Sequence, residues 1–144
     1  MSTTTNHLTG SCHCGAVRYD VEYDLEKGAS RCNCTICAKI AATGAIVKPA
    51  AFRLLAGDDA LSTYEWGHKV SKRFFCKHCG IHVFARGHLE VLGGDYVSVN
   101  FNTLDGVDLR DVKIGHWDGR HDGWDKGMKL EPWPLEPAAS NASA

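Results

Sequence analysis

Seven cysteines stand in three tight groups, and their spacing constrains this chain more than any other feature. The groups read Cys12-His13-Cys14, Cys32-Asn33-Cys34-Thr35-Ile36-Cys37 and Cys76-Lys77-His78-Cys79. The last is a zinc knuckle: its spacing turns both sulfurs toward one point, and Gly80 directly after it supplies the left-handed backbone such a turn often needs. One knuckle gives two ligands, whereas a tetrahedral thiolate site takes four. The early CxC pair, followed by Gly15, is the natural partner. A closed, structural site of Cys12, Cys14, Cys76 and Cys79 is therefore expected. It would clamp the N-terminal strand to a hairpin more than sixty residues later, where a cross-link restricts the unfolded chain most. The competing possibility is a set of unrelated buried thiols.

Cys32, Cys34 and Cys37 are then every sulfur that remains. CxCxxC lets three sulfurs converge within one loop, and a zinc with three protein ligands and a fourth position open is the arrangement of catalytic zinc. Three other readings stay open. A histidine such as His13, His78 or His82 could close the site; Cys34 and Cys37 could form a redox pair, though no βαβ pattern surrounds them; or the trio could serve an iron–sulfur cluster, which usually wants four cysteines. If the fourth position is open, three thiolates make a mild Lewis acid and a soft site. An incoming thiol then competes well with water and loses its proton. The expected substrate is a small thiol.

The rest of the chain reads as mainly β. AVRYDVEY at 16–23 sets Val17, Tyr19, Val21 and Tyr23 against Arg18, Asp20 and Glu22, and YVSVNFN at 96–102 alternates likewise. GAIV, FRLL, LSTYEW, KRFFC, IHVFAR and VKIGHW are further short strands, and one turn or two of helix is expected around ICAKIAA at 36–42. With 144 residues the chain suits one domain, taken as 8–132 between a flexible leader, 1–7, and a flexible tail, 133–144. The first eleven residues carry no periodicity and read as loose. The segment 118–127, DGRHDGWDKG, departs from the EF-hand ligand order and reads as an ordered surface loop around a packed Trp124. Trp66, Trp117 and Trp133 read as core or rim packing that lacks the basic neighbours of a nucleic-acid stacking platform.

Charge and hydropathy narrow the partners. A formal net charge of −1 argues against nucleic-acid and membrane-surface binding. The basic stretch at 68–73 reads as a solvated strand face. No signal-peptide pattern and no bilayer-length apolar run is visible, so a cytoplasmic location is expected, where cysteines serve metals more often than disulfides. Nothing in the pattern sets the oligomeric state.

GSCHCGAVRY at 10–19, RCNCTIC at 31–37 with Lys39 and Gly44 after it, and FFCKHCG at 74–80 resemble the glutathione-dependent formaldehyde-activating family, which includes centromere-protein-V-like proteins. The resemblance spans roughly residues 8–118. It implies a β-tent of twisted antiparallel sheets with two Zn2+ ions per chain. The structural zinc carries over onto Cys12, Cys14, Cys76 and Cys79, and the catalytic zinc onto Cys32, Cys34 and Cys37. The implied activity is a carbon–sulfur lyase reaction on S-hydroxymethylglutathione or a related small-thiol adduct. His78 and His82 are the candidate proton shuttles, and Lys39 is a candidate contact for a glutathione carboxylate. The chain lacks the more basic stretch that many members carry after the trio. The alternative is a non-catalytic zinc module that binds a protein partner or a small thiol.

Overall fold

The computed structural model describes residues 6–66 and 71–136. Ten strands follow one another: β1 (His7–Ser11), β2 (Arg18–Glu22), β3 (Ala29–Cys32), β4 (Gly44–Val47), β5 (Phe52–Ala56), β6 (Leu61–Tyr64), β7 (Ser71–Cys76), β8 (His82–Leu89), β9 (Gly94–Asn100) and β10 (Ile114–Trp117). Among the described residues one α-helix occurs, α1 (Thr35–Ile40), with several single 3-10 turns. The strands form a three-stranded sheet, β1-β2-β5, and a seven-stranded sheet, β10-β3-β4-β9-β8-β7-β6. The mainly β expectation is met. One pair departs from the antiparallel sheets that the resemblance implies, because β10 runs parallel to β3.

Alternation along β2 explains how the two sheets join. Val17, Tyr19 and Val21 are fully buried, and they face the large sheet. Tyr19 stacks on Phe52 at 5.3 Å, Phe52 meets Phe84 at 4.7 Å, and Phe84 stacks on Phe74 at 4.7 Å. This run of rings crosses from one sheet to the other. Each ring buried there contributes about 1.5–3 kcal/mol of transfer free energy. Val97 and Val99 of β9 complete the core. The Tyr19 hydroxyl finds Thr103 Oγ1 at 2.8 Å, so the ring is buried without stranding its polar end.

Several sequence expectations need correction. The loose leader is a strand over residues 7–11, because β1 pairs in full register with β2; residues 1–5 lie outside the described residues. Asp20, assigned to the solvent face, is buried, since Arg53 donates two hydrogen bonds to its carboxylate at 3.1 and 2.6 Å and His7 approaches at 3.4 Å. β9 stops at Asn100, whose side chain caps a 3-10 turn by accepting from Asn102 N, while Phe101 stays buried. Within the basic stretch, residues 68–70 lie outside the described residues, and Ser71, Lys72 and Arg73 open β7. The tail is described to residue 136, and there Trp133 is docked by a hydrogen bond from its indole N–H to the His116 carbonyl at 2.8 Å.

Candidate metal centres

The seven sulfurs gather into two groups. In the first, the Sγ atoms of Cys12, Cys14, Cys76 and Cys79 all lie within 4.8 Å of one another. Cys12 and Cys14 come from the turn between β1 and β2; Cys76 ends β7, and Cys79 sits in the turn before β8. Each turn closes on a glycine, Gly15 at φ +83° and Gly80 at φ +78°, a region that costs side-chain-bearing residues about 1 kcal/mol or more. Cys14 Sγ lies 3.7 Å from Cys12 Sγ and 3.6 Å from Cys76 Sγ. A tetrahedral thiolate site with metal–sulfur bonds of about 2.3 Å has sulfurs about 3.8 Å apart. The spacing and the donor chemistry therefore fit zinc. Backbone N–H groups of Val17 and His78 point at Cys12 and Cys76 Sγ at 3.3 and 3.4 Å. Burial opposes ionisation of Cys79, but the backbone N–H groups of Cys14 and Ile81 lower its thiol to about 6.

The second group holds Cys32, Cys34 and Cys37, again within 4.8 Å of one another. Cys32 ends β3, the buried Cys34 is the residue before α1, and Cys37 follows on the helix. α1 is only six residues long and ends at Ala41, which adopts the left-handed conformation and donates back to the Cys37 carbonyl. Hydrogen bonds from Cys32 and Cys37 pull the Cys34 thiol down to about 3, so one sulfur of the set readily gives up its proton. Among the described residues no histidine nitrogen, carboxylate or further sulfur joins the trio within that span. The donor set suits a soft cation such as zinc with a position to spare.

The loop at 118–127 holds this second group in place. Because β10 runs parallel to β3 with Trp117 opposite Cys32, the chain leaves the sheet directly beside the sulfur loop. Asp118, 2% exposed, accepts hydrogen bonds at 2.8 Å from Asn33 Nδ2, His121 Nδ1 and Lys126 Nζ. Burial opposes its charge, but the bonds from Lys126, Asn33 and His121 hold the carboxyl far below the usual range. Asn33 lies between two of the cysteines and also accepts from Arg120 N at its side-chain oxygen and from Arg120 Nε at its carbonyl, both at 2.9 Å. Trp124, expected to be packed, is 50% exposed and meets Trp117 at 5.8 Å. The supposed lack of basic neighbours also fails. Arg73 lies over Trp66, and Lys126 and Lys129 lie over Trp133 at 4.6 and 4.1 Å. Those cations cover the ring faces.

The remaining candidates separate. His13 and His78 are exposed, each inside a turn of the four-sulfur group. Lys39 is exposed in the last turn of α1. His82 stacks on Phe75 at 5.1 Å, and burial, with the charge of Arg73, pulls its ring below the usual imidazole value, leaving it neutral at pH 7. Arg73 is the residue that sequence reasoning missed: its Nη2 donates to Cys37 Sγ at 3.4 Å. In the sequence it was one cation of a basic run on a strand, with nothing to tie it to a loop more than thirty residues earlier.

Among the described residues no helix is long and apolar enough to cross a membrane. A crystal structure of a Rhodobacter sphaeroides protein is similar to this chain at 33% identity with a TM-score of 0.63, covering 72% of this chain and 94% of that one. Residues 7–117 match the glutathione-dependent formaldehyde-activating enzyme family. That span takes in all seven cysteines and both sulfur groups, and the chain belongs to this family.

Proposed function

We propose that the chain is a zinc-dependent carbon–sulfur lyase of the glutathione-dependent formaldehyde-activating type, acting at Cys32, Cys34 and Cys37 on S-hydroxymethylglutathione or a related small-thiol adduct. The observation that carries this reading is the contrast between the two sulfur groups: four converging sulfurs in one, three with no further donor among the described residues in the other. A zinc ion held by the trio would supply a soft electrophilic position that favours the deprotonated form of an incoming thiol. Cys12, Cys14, Cys76 and Cys79 would hold a second zinc whose role is to tie the two turns together.

In the forward direction the thiol sulfur bonds to the carbonyl carbon of formaldehyde, and the carbonyl electron pair moves to oxygen, which takes up a proton. Reversal breaks the carbon–sulfur bond and returns the proton. The chain's own residues have separable tasks. The trio, clamped through Asn33 and Asp118, fixes where the thiol approaches. His82, neutral and half-buried near Arg73, is our candidate to take up the proton the thiol loses and pass it to the new hydroxyl oxygen. His78 would serve only if the turn of the four-sulfur group reached the trio. Lys39 is available to a glutathione carboxylate from the end of α1. Seven cysteines gathered into two groups suited to metal fit a reducing compartment, and we infer a cytoplasmic location.

The test is exchange spectroscopy on glutathione and formaldehyde with zinc-loaded protein. Exchange between free glutathione and its hydroxymethyl adduct should quicken with the wild type and fall to the uncatalysed rate with Cys37→Ser. If the wild type binds glutathione without quickening exchange, the lyase assignment is wrong and the site belongs to a binding module.

A further inference from the structure

Two buried side-chain polar atoms among the described residues have no hydrogen-bond partner, Arg73 Nε and His82 Nδ1. Leaving such an atom unpaired costs about 1–3 kcal/mol, so an orphan in a native fold asks what else is meant to sit there. Both belong to the neighbourhood of the second sulfur group. Arg73 lies on β7 two residues before Phe75, and Phe75 is paired with His82 across the register shift at Phe74/Phe75. That shift lets the His82 ring lie against Phe75 at 5.1 Å. The other end of the Arg73 guanidinium touches Cys37 Sγ at 3.4 Å, and its carbon lies 5.4 Å from the centre of the Trp66 ring.

The Arg73 contact with Cys37 Sγ sets the guanidinium beside the trio, and the Arg73 charge reaches His82. A fourth thiolate in a tetrahedral set would lie about 3.8 Å from Cys37 Sγ, which is comparable to the Arg73 contact with the same sulfur. An oxygen a few bonds from the substrate sulfur is then within reach of the guanidinium. Arg73 can only donate, and His82 Nδ1 donates in one tautomer, so the missing partner is an acceptor. Beside a guanidinium the favoured acceptor is an anionic oxygen.

We propose that Arg73 and His82 form a subsite for an acidic oxygen group carried by the thiol substrate, so that the site prefers acidic thiols to neutral and cationic ones. This rests on the thiol reading above. A role for Arg73 in merely offsetting the charge of the sulfurs would treat every small thiol alike, and this difference makes the two separable.

The experiment uses full-length protein loaded with cobalt(II), whose visible bands report the ligands at the trio. It is titrated with 3-mercaptopropionate, 2-mercaptoethanol and cysteamine, which carry a carboxylate, a hydroxyl and an amine. In the wild type 3-mercaptopropionate should bind about tenfold or more tighter than cysteamine. Arg73→Met should bring the two within about twofold while cobalt stays in the trio, and Arg73→Lys should keep part of the preference. His82→Gln should weaken 3-mercaptopropionate without affecting cysteamine. If 2-mercaptoethanol matches 3-mercaptopropionate, the site does not select an acidic group and the proposal is overturned. Equal affinities for 3-mercaptopropionate and cysteamine in the wild type overturn it too. So does an equal loss for all three thiols in Arg73→Met, or loss of cobalt from the trio. If no thiol alters the wild-type bands, the thiol reading itself fails and this inference falls with it.

Discussion

Replacing Gly119 by alanine is expected to empty the second sulfur group while leaving the first loaded. A methyl group at this position would lie 2.5 Å from Cys32 Sγ and 2.7 Å from the Trp124 ring. Ordinary contacts between such atoms are about 3.5–4.0 Å, so the overlap is about 1 Å. Trp124 is half-exposed and can swing out, but Cys32 cannot follow, because it is the last residue of β3 and paired with Trp117. Its sulfur must yield instead. Metal–sulfur distances tolerate only about 0.2 Å, and an overpacked site costs about 1–3 kcal/mol, which corresponds to roughly 5- to 150-fold in metal affinity. The assay is metal released on denaturation, measured after equilibration against buffered free zinc, with circular dichroism to confirm the fold. The wild type should release two ions per chain and the variant should approach one. A variant that keeps two ions at wild-type affinity refutes the claim that loop 118–127 presses on the trio.

Other perturbations probe the remaining parts. Asp118→Ala removes the acceptor of three hydrogen bonds; Lys126 can return to water, but the Asn33 amide loses its acceptor, and urea unfolding should show a loss of about 1–3 kcal/mol. A loss near zero would mean that the loop is not anchored there. Because the Asp118 carboxyl is held below its ordinary value of 3.8, its stabilisation is full above that value and is lost as pH falls through the lowered folded one. The stability gap between the wild type and Asp118→Asn should accordingly narrow on acidification; a gap that widens reverses the sign of the argument. Gly80→Ala meets no atom within 4 Å but must adopt φ +78°, so a cost of about 1 kcal/mol is expected from strain alone. Cys76→Ser should lower the thermal midpoint more than Cys37→Ser, since Cys76 is fully buried and joins turns far apart in sequence; the reverse order would contradict the division of roles.

Local chemistry made the cysteines legible. The grouping of Cys12, Cys14, Cys76 and Cys79, and of Cys32, Cys34 and Cys37, follows from spacing and glycines, and the structure assembles the same two sets. Alternation found most strands for the same reason. β1 and β3 were missed because HLTGS and ASRC carry too few apolar residues to alternate, and their pairing partners supply the order instead. Asp20 was misplaced because its charge is offset by Arg53 on β5, a partner that no local pattern reveals. Likewise the link from Asp118 to Asn33 and the contact of Arg73 with Cys37 depend on long-range topology, on a parallel β3–β10 pair and on where β7 lies relative to α1. What surrounds the trio was therefore invisible even though the trio itself was plain.

The most direct test of the central claim, that the open side of the trio takes the substrate sulfur, is calorimetric titration of zinc-loaded protein with glutathione in two buffers of different ionisation enthalpy. Saturable binding with proton release, absent for S-methylglutathione and for Cys37→Ser, is the expected result. Equal binding of glutathione and its S-methyl form, or no binding by protein carrying two zinc ions, would contradict it.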